Sequence, residues 1–405
     1  MRHGPGSGLL RLRAAGHLIV VQRGDEFFAY DTAQAGNDGE NQGARLLWRV
    51  NLEAKLPGTT SVRGFSQWLQ QRPGRFPRLQ VIDPFSGDLA ELGPVTNTVV
   101  CFHKSQTLQA VDPLTGKLLW KRFDLHPESE VIGDNEVLLV MGPQEQSVQV
   151  LRVADGYELG RCKVPQADER IASVGRNVVS WQQDQQGTHL TAMDPWAGKE
   201  LWKRTFAASA KFWLIETDEI AVLDSAGQFA VLSLADGRAR VDHDLTPEPN
   251  QTDMFVHRSC DQYLLFANSP QPVKGNVNAV PGGYYCPLVG GRICGFDRHN
   301  GKLLWNTAIE QQLSFDTTQP LDLPILAMAS RVYEQNGQNR ITRQYSPLVC
   351  LDKRTGRIVH QEELSGSISR VEVIGNPGAK TVEIRTNTSG VKLTLTSEPW
   401  EEPAA

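Results

Sequence analysis

The chain has 405 residues, with Lys+Arg 41 against Asp+Glu 46 and a formal net charge of −5. A hydrophobic content of 40% with 21% charged residues is globular rather than disordered, and 36 Gly with 23 Pro point to many turns. The mild acidity argues against a dedicated nucleic-acid binder, which needs a basic face, and the apolar runs, such as Leu18 to Val21 and Val137 to Met141, fall far short of the ~20 residues of a spanning helix.

Residues 1–8 read as a flexible N-terminus. Arg11 and Arg13 interrupt any signal-peptide-like apolar stretch, so the chain as it stands reads as cytoplasmic, or as periplasmic if an exporting segment precedes it. Strands are expected near Leu9 to Leu12 and over Leu18 to Val21. Ala29-Tyr30-Asp31 opens a turn whose return, Leu46-Leu47-Trp48, comes after a lengthened loop. Residues 53–78 read as an insertion, and Asp83 to Gly87 as a degenerate turn.

A repeat then becomes plain. Ala110 to Trp120 reads AVDPLTGKLLW, Ala192 to Trp202 reads AMDPWAGKELW, and Gly295 to Trp305 reads GFDRHNGKLLW. Asp112, Asp194 and Asp297 share the third place, Gly116, Gly198 and Gly301 the seventh, and Trp120, Trp202 and Trp305 the eleventh. Cys350 to His360 is a weaker copy that keeps Asp352 and Gly356. Val150 to Gly160 and Val231 to Val241 keep only the glycine, Gly156 and Gly237. The intervals from Gly116 to Gly156, Gly198 and Gly237 are 40, 42 and 39 residues, the period of one four-stranded propeller blade. The flanks alternate or are β-branched, as in Glu136 to Met141, Ser147 to Val153, Glu219 to Leu223 and Val391 to Thr396. Asp can bond amides two residues on and Gly accepts φ > 0, so the stretch is a tight turn between strands. The small Ala110, Ala192 or Gly295 leaves room for close packing, and the Trp offers a flat surface to the next blade.

The expected fold is all-β: a β-propeller of eight four-stranded blades, with seven as the alternative. It spans 9–397 as a single domain, its ring closed by N- and C-terminal strands, with a flexible tail over 398–405. Further insertions are read at 268–292 and 334–346.

The pattern A-x-D-x-x-T-G-K-x-x-W, complete in Ala110, Asp112, Thr115, Gly116, Lys117 and Trp120, resembles the tryptophan-docking motif of the quinoprotein (PQQ-repeat) propellers. The resemblance extends, with decay, from about Ala29 to His360. The family's alcohol dehydrogenases carry PQQ and Ca²⁺, often beside adjacent cysteines. This chain has no adjacent Cys pair and no D-x-D-x-D loop, so no cofactor is expected. In length and repeats it is more similar to the non-enzymatic branch, which includes the bacterial outer-membrane-assembly scaffold and the planctomycete-type propellers. The resemblance implies a non-catalytic scaffold that presents loops to a protein partner; the residues leave the oligomeric state undetermined, with a monomer favoured. A divergent PQQ-type or other propeller enzyme, with its site in the central funnel, is the alternative.

The remaining motifs are modest. The six cysteines form no C-x-x-C; Cys101, Cys162 and Cys350 read as buried thiols, while Cys286 and Cys294 stand close enough in sequence to pair. The nine His form no H-x-H or H-E-x-x-H, and no metal is expected. The Gly-rich stretch 276–292 lacks a phosphate-loop pattern. Its Tyr284 and Tyr285, with Val289 as an aliphatic anchor, suit a partner-binding loop free of secondary structure.

Overall fold

The computed structural model describes residues 10–395 apart from 24, 34–43, 53–89, 128, 143–146, 166–169, 217, 249, 270–275, 281–287, 316–318, 321–322, 336–339, 367 and 377. Among the described residues every regular element is a strand. The 53–78 insertion and the Asp83 to Gly87 turn lie outside them. The chain divides into two compact units, Met1–Gln182 with His189–Arg204, and Gln183–Thr188 with Thr205–Ala405.

The first unit contains four antiparallel sheets. They are β1 (Leu10–Ala15), β2 (Leu18–Arg23), β3 (Glu26–Asp31) and β4 (Arg45–Asn51); β5 (Glu91–Val95), β6 (Val100–Lys104), β7 (Thr107–Val111) and β8 (Leu118–Arg122); β9 (Glu130–Gly133), β10 (Val137–Met141), β11 (Ser147–Arg152) and β12 (Glu158–Lys163); and β13 (Arg170–Val174), β14 (Asn177–Asp184), β15 (Gly187–Asp194) and β16 (Lys199–Phe206), the β14–β15 tip counting with the second unit. In each, successive strands pair in sequence order, the meander of a propeller blade. Apolar alternation sets the layering: β10 is buried throughout, whereas β12 buries no residue fully.

The second unit begins with a sheet of the same kind, β17 (Lys211–Ile215), β18 (Glu219–Leu223), β19 (Gln228–Ser233) and β20 (Ala239–Asp244). Eight strands follow in one sheet: β21 (Asp253–Arg258), β22 (Gln262–Asn268), β23 (Asn276–Ala279), β24 (Leu288–Asp297), β25 (Leu303–Phe315), β26 (Ile325–Gln335), β27 (Ile341–Asp352) and β28 (Ile358–Ser365). The last sheet has three described strands, β29 (Val371–Asn376), β30 (Thr381–Thr386) and β31 (Gly390–Thr394). The strand expected near Leu9 to Leu12 forms as β1 but pairs with β2; among the described residues it is not shared with the C-terminal sheet.

The repeated turn works as its composition requires. The Asp112 carboxylate accepts the amides of Leu114 (3.1 Å) and Thr115 (2.8 Å) and the Thr115 hydroxyl (2.8 Å). Asp194 accepts the amides of Trp196 and Ala197, Asp297 those of His299 and Asn300, and Asp352 that of Arg354. The Thr115 hydroxyl and amide hold the Asp112 carboxyl below the usual carboxylate range, and the His299 amide is foremost in doing the same for Asp297. Where the third-place Asp is missing, the sixth place supplies it: Asp155 accepts the Tyr157 amide and Asp236 the Arg238 amide. Six of the turns are flanked by a register shift of one residue, between Ala110 and Val111 and at the corresponding places in five other sheets or sheet halves. This bulge lets the strand before the turn and the strand after it run on in one ladder.

Each docked Trp seats on a later turn, in the following sheet for Trp48 and Trp120 and in the same eight-stranded sheet for Trp305. Trp48 Nε1 donates to the Pro113 carbonyl (2.7 Å), Trp120 Nε1 to Val153 (2.7 Å), and Trp305 Nε1 to Lys353 (2.8 Å). The seventh-place glycine lies beneath the ring. A Cβ at Gly116 would sit 2.8 Å from Trp48 Cγ, and one at Gly156 2.7 Å from Trp120 Cε3, while φ is +67 and +68°. Glycine is therefore demanded twice, by the left-handed backbone and by the ring. The small first-place residue lies under its own Trp instead: Ala110 is paired with Trp120, and Gly295 with Trp305. Trp48, Trp120 and Trp305 are buried, while Trp202, expected to match them, is half-buried. The third sheet has Gly160 in the Trp slot, and there the next turn supplies the ring: Trp196 lies 3.5 Å from where a Gly160 Cβ would stand.

Candidate interaction surface

The 268–292 insertion was expected to lack secondary structure, and it does not. Its β23 pairs antiparallel with β26, Asn276 opposite Tyr333 through Ala279 opposite Ser330. The edge of β26 is covered piece by piece. The Gln319 side-chain amide makes both bonds of a backbone unit to Ala327, donating to its carbonyl (2.6 Å) and accepting its amide (3.0 Å). The end of β25 pairs with Met328 and Ala329, and β23 with the next four residues. Leaving these backbone groups unpaired would cost the desolvation of each, which explains why three separate segments converge on one edge. Sequence reading missed Gln319, because a side chain replacing a strand has no periodicity.

The other edge of β26 pairs with β27, from Ile325 opposite Asp352 to Gln335 opposite Ile341. The 268–292 and 334–346 insertions thus belong to one sheet. The half of β27 near Asp352 is buried and the half near Ile341 is exposed. On that exposed half Arg343 stands 4.6 Å from the Tyr345 ring and pairs with Glu334 (3.7 Å) and Glu363.

The residues on either side of 281–287 both meet Ser314, one through its side chain and one through its backbone ladder. The Val280 amide donates to Ser314 Oγ (3.0 Å), and Leu288 is paired with Ser314 across the ladder. Tyr284 and Tyr285 fall within 281–287, outside the described residues. Val289 does not serve as an exposed anchor: at 2% exposure it packs in the core with Phe266, Leu313 and Phe315, because β24 begins one residue earlier and turns it inward. Cys294 is a free buried thiol, and Cys286 lies outside the described residues; burial raises Cys294 to about 12, as it does Cys101 and Cys350.

Charged clamps join neighbouring hairpins. In the second unit Arg258, at the end of β21, meets Glu216, Asp218 (3.0 Å) and Glu219 (3.2 Å) around the β17–β18 hairpin. Glu219 is buried and also accepts the Tyr263 hydroxyl (2.8 Å). Burial raises the Glu219 carboxyl, against the Tyr263 bond, and burial with the Glu219 contact raises Tyr263 to about 12. In the first unit Arg176 does the same work on Asp134 (3.4 Å) and Glu136 (2.9 Å), and reaches its own sheet's Asp194 (2.9 Å). These groups pair with one another and tie neighbouring hairpins together. Among the described residues no three His, Cys, Asp or Glu side chains gather as a metal site, and no helix is long and apolar enough to cross a membrane.

The family model described as outer membrane protein assembly factor BamB matches residues 104–376. Among solved structures, BamB from Moraxella catarrhalis is 13% identical with a TM-score of 0.37, covering 97% of this chain and 96% of that one. Sqt1 of Saccharomyces cerevisiae is 12% identical with a TM-score of 0.35, covering 94% and 96%. The dihydro-heme d1 dehydrogenase NirN is 13% identical with a TM-score of 0.35, covering 92% and 69%. No curated protein matches the sequence. The family match takes in all three complete Asp–Gly–Trp repeats and both sheet-forming insertions, and this chain belongs to the family of the outer membrane protein assembly factor BamB.

Proposed function

We propose that this chain is a non-catalytic scaffold of outer-membrane protein assembly, working in the bacterial cell envelope and capturing a protein partner through residues 281–287. The observation that carries the reading is the family match over 104–376, which spans this segment. The placing of Val280 and Leu288 against Ser314 supports it, because binding residues carried between fixed flanks lose less entropy on binding. Tyr284 and Tyr285 supply the apolar area with polar tips that is favoured at binding hot spots.

Deleting 268–292 is no test, since it would remove β23 and the start of β24. The test is a photo-crosslinking residue at 285 in the full chain, in its native host, with and without Tyr284→Ser. The expected result is one dominant crosslinked envelope protein, reduced at least about tenfold by the substitution. Crosslinking unchanged by Tyr284→Ser would overturn the loop assignment. Purified protein given PQQ and Ca²⁺ should show no bound quinone absorbance; stoichiometric binding would overturn the non-catalytic reading.

A further inference from the structure

The turn between β24 and β25 contains a chemically reactive pair. Asn300–Gly301 is the one Asn-Gly dipeptide among the described residues, and Asn300 is exposed. Asn is thermolabile, and most so before glycine, where no Cβ shields the backbone nitrogen that attacks its side chain. Gly301 is fixed at this place. Its φ is +71°, and an added Cβ would stand 2.5 Å from the Arg240 carbonyl oxygen of β20.

Asn300 takes over the work of a hydroxyl. It stands in the sixth place of the repeat, where the complete copy has Thr115. Thr115 Oγ1 donates to the Asp112 carboxylate (2.8 Å) and accepts the Lys117 amide (3.4 Å). Asn300 makes both bonds with its two side-chain ends: Nδ2 donates to Asp297 Oδ2 (3.2 Å), and Oδ1 accepts the Lys302 amide (2.9 Å). Thr355, in the same place of the last copy, accepts the Arg357 amide (3.3 Å). Asn therefore serves the turn as Thr does, and brings with it a reactive amide that Thr lacks.

The same bonds restrain the atoms that would react. The Gly301 amide, which holds the attacking nitrogen, donates to the Asp297 carbonyl (2.8 Å). The Asn300 side-chain amide, which must swing onto that nitrogen, is held at its oxygen by Lys302 and at its nitrogen by Asp297. The two Asp-Gly copies are closed in the same way. The Gly156 amide donates to Arg152 and the Gly237 amide to Ser233 (each 2.9 Å), while Asp155 and Asp236 accept the amides two residues on (3.1 and 3.2 Å).

We infer that Asn300 is a deamidation site held closed by its own turn: it is modified only when the β24–β25 turn opens, and the product then keeps the turn from closing. In the step, the Gly301 nitrogen bonds to Asn300 Cγ, the Cγ–Nδ2 bond breaks, and the amide proton leaves with Nδ2 as ammonia. Water then opens either C–N bond of the cyclic imide, giving aspartate or isoaspartate at 300. Aspartate has no N–H for Asp297, and it sets a second carboxylate where the 3.2 Å bond stood. Isoaspartate lengthens the main chain by one carbon and moves Gly301 from its place against Arg240. The inference is independent of the scaffold reading.

The test ages the purified full chain at mildly alkaline pH, native and in urea, and reads amide loss and isoaspartate at 300 by peptide mass mapping. Loss at least about tenfold slower in the native chain is expected. Native loss should rise with sub-denaturing urea in step with hydrogen exchange of the Gly301 amide. Asp297→Ala, which leaves the Asn-Gly pair intact but removes the partner of Nδ2, should speed native loss at least about threefold. Asn300→Thr should abolish the mass change with unfolding unaltered, whereas Asn300→Asp should unfold at lower urea than Asn300→Thr. Equal rates in native and unfolded chain overturn the inference, as does native loss that stays constant while Gly301 exchange rises. Asn300→Asp as stable as Asn300→Thr would refute the effect of the product on the turn. The urea series needs no substitution, so a variant that fails to fold leaves the test intact.

Discussion

The joint at Trp120 and the joint at Trp305 use the same motif with different support. In the first unit Trp120 seats on Val153 and Gly156, and among the described residues no ladder links the second and third sheets. In the second unit Trp305 seats on Lys353 and Gly356, but the strands on either side are also sewn together by backbone: β25 pairs with β26, and so does β23. One joint depends on an indole and a hydrogen bond, the other adds a ladder. A docking motif therefore marks where two sheets meet without stating how much of the joint it carries.

The largest expected effect separates the two joints. Trp120→Ala removes a ring with 9% exposure and leaves a cavity over Gly156, which should cost about 3–5 kcal/mol in urea unfolding. Trp305→Ala should lose a similar transfer term, yet amide hydrogen exchange should find β26 and β27 still protected, because their ladders remain. A cost below about 1 kcal/mol for Trp120→Ala would show that the indole is not what holds the first joint.

The next effect belongs to the second unit alone. His257 is buried against the Phe315 ring (5.2 Å), and burial, aided by nearby Lys353, lowers it to about 4. The folded state thus refuses a proton that the unfolded chain binds below about 6.5. Stability is unaffected above that pH and falls as pH drops from about 6.5 to about 4, by about 3 kcal/mol in all. Glu219, raised by burial, acts in the opposite sense: its contribution is present at low pH and is lost as pH rises through its folded value. Comparing wild type with His257→Gln subtracts Glu219 out. The variant should show a flatter acid limb, and an unchanged slope between pH 6.5 and 4 would refute the assignment.

The smallest effect compares two versions of the turn. Asp112 accepts two amides and a hydroxyl, whereas Asp155 accepts one amide and otherwise pairs with exposed Arg152. Asp112→Ala should cost about 1 kcal/mol and Asp155→Ala less. Equal losses in chemical unfolding would mean that the sixth-place Asp fully replaces the third.

Much of this was legible in the residues. The shared Asp, Gly and Trp places located the turns, and the alternating flanks located β10, β11, β18 and β31. The sixth-place Asp155 and Asp236 could have been found too, since both weak copies read Ala-Asp-Gly. The candidate surface was less legible. Val289 reads as an aliphatic anchor in a Gly-rich stretch, and only the ladder with β25 turns it inward. Which leucines of an outgoing strand such as β8 face water depends on the bulge in the ladder beside them.

By itself the sequence determined the repeating unit, since a left-handed turn, an amide-binding carboxylate and a bulky ring are local chemistry that needs only neighbouring residues. It determined the all-β class as well, through the period of its apolar residues. The tertiary structure alone decided what depends on distant segments. Asn276–Ala279 became a strand because the edge of β26 had backbone groups to satisfy, and Gln319 completed that edge with a side chain. Trp196 filled the slot opened by Gly160. The first and last of these join residues tens of positions apart and the Gln319 contact uses a side chain in place of a strand; none leaves a periodic trace in the sequence.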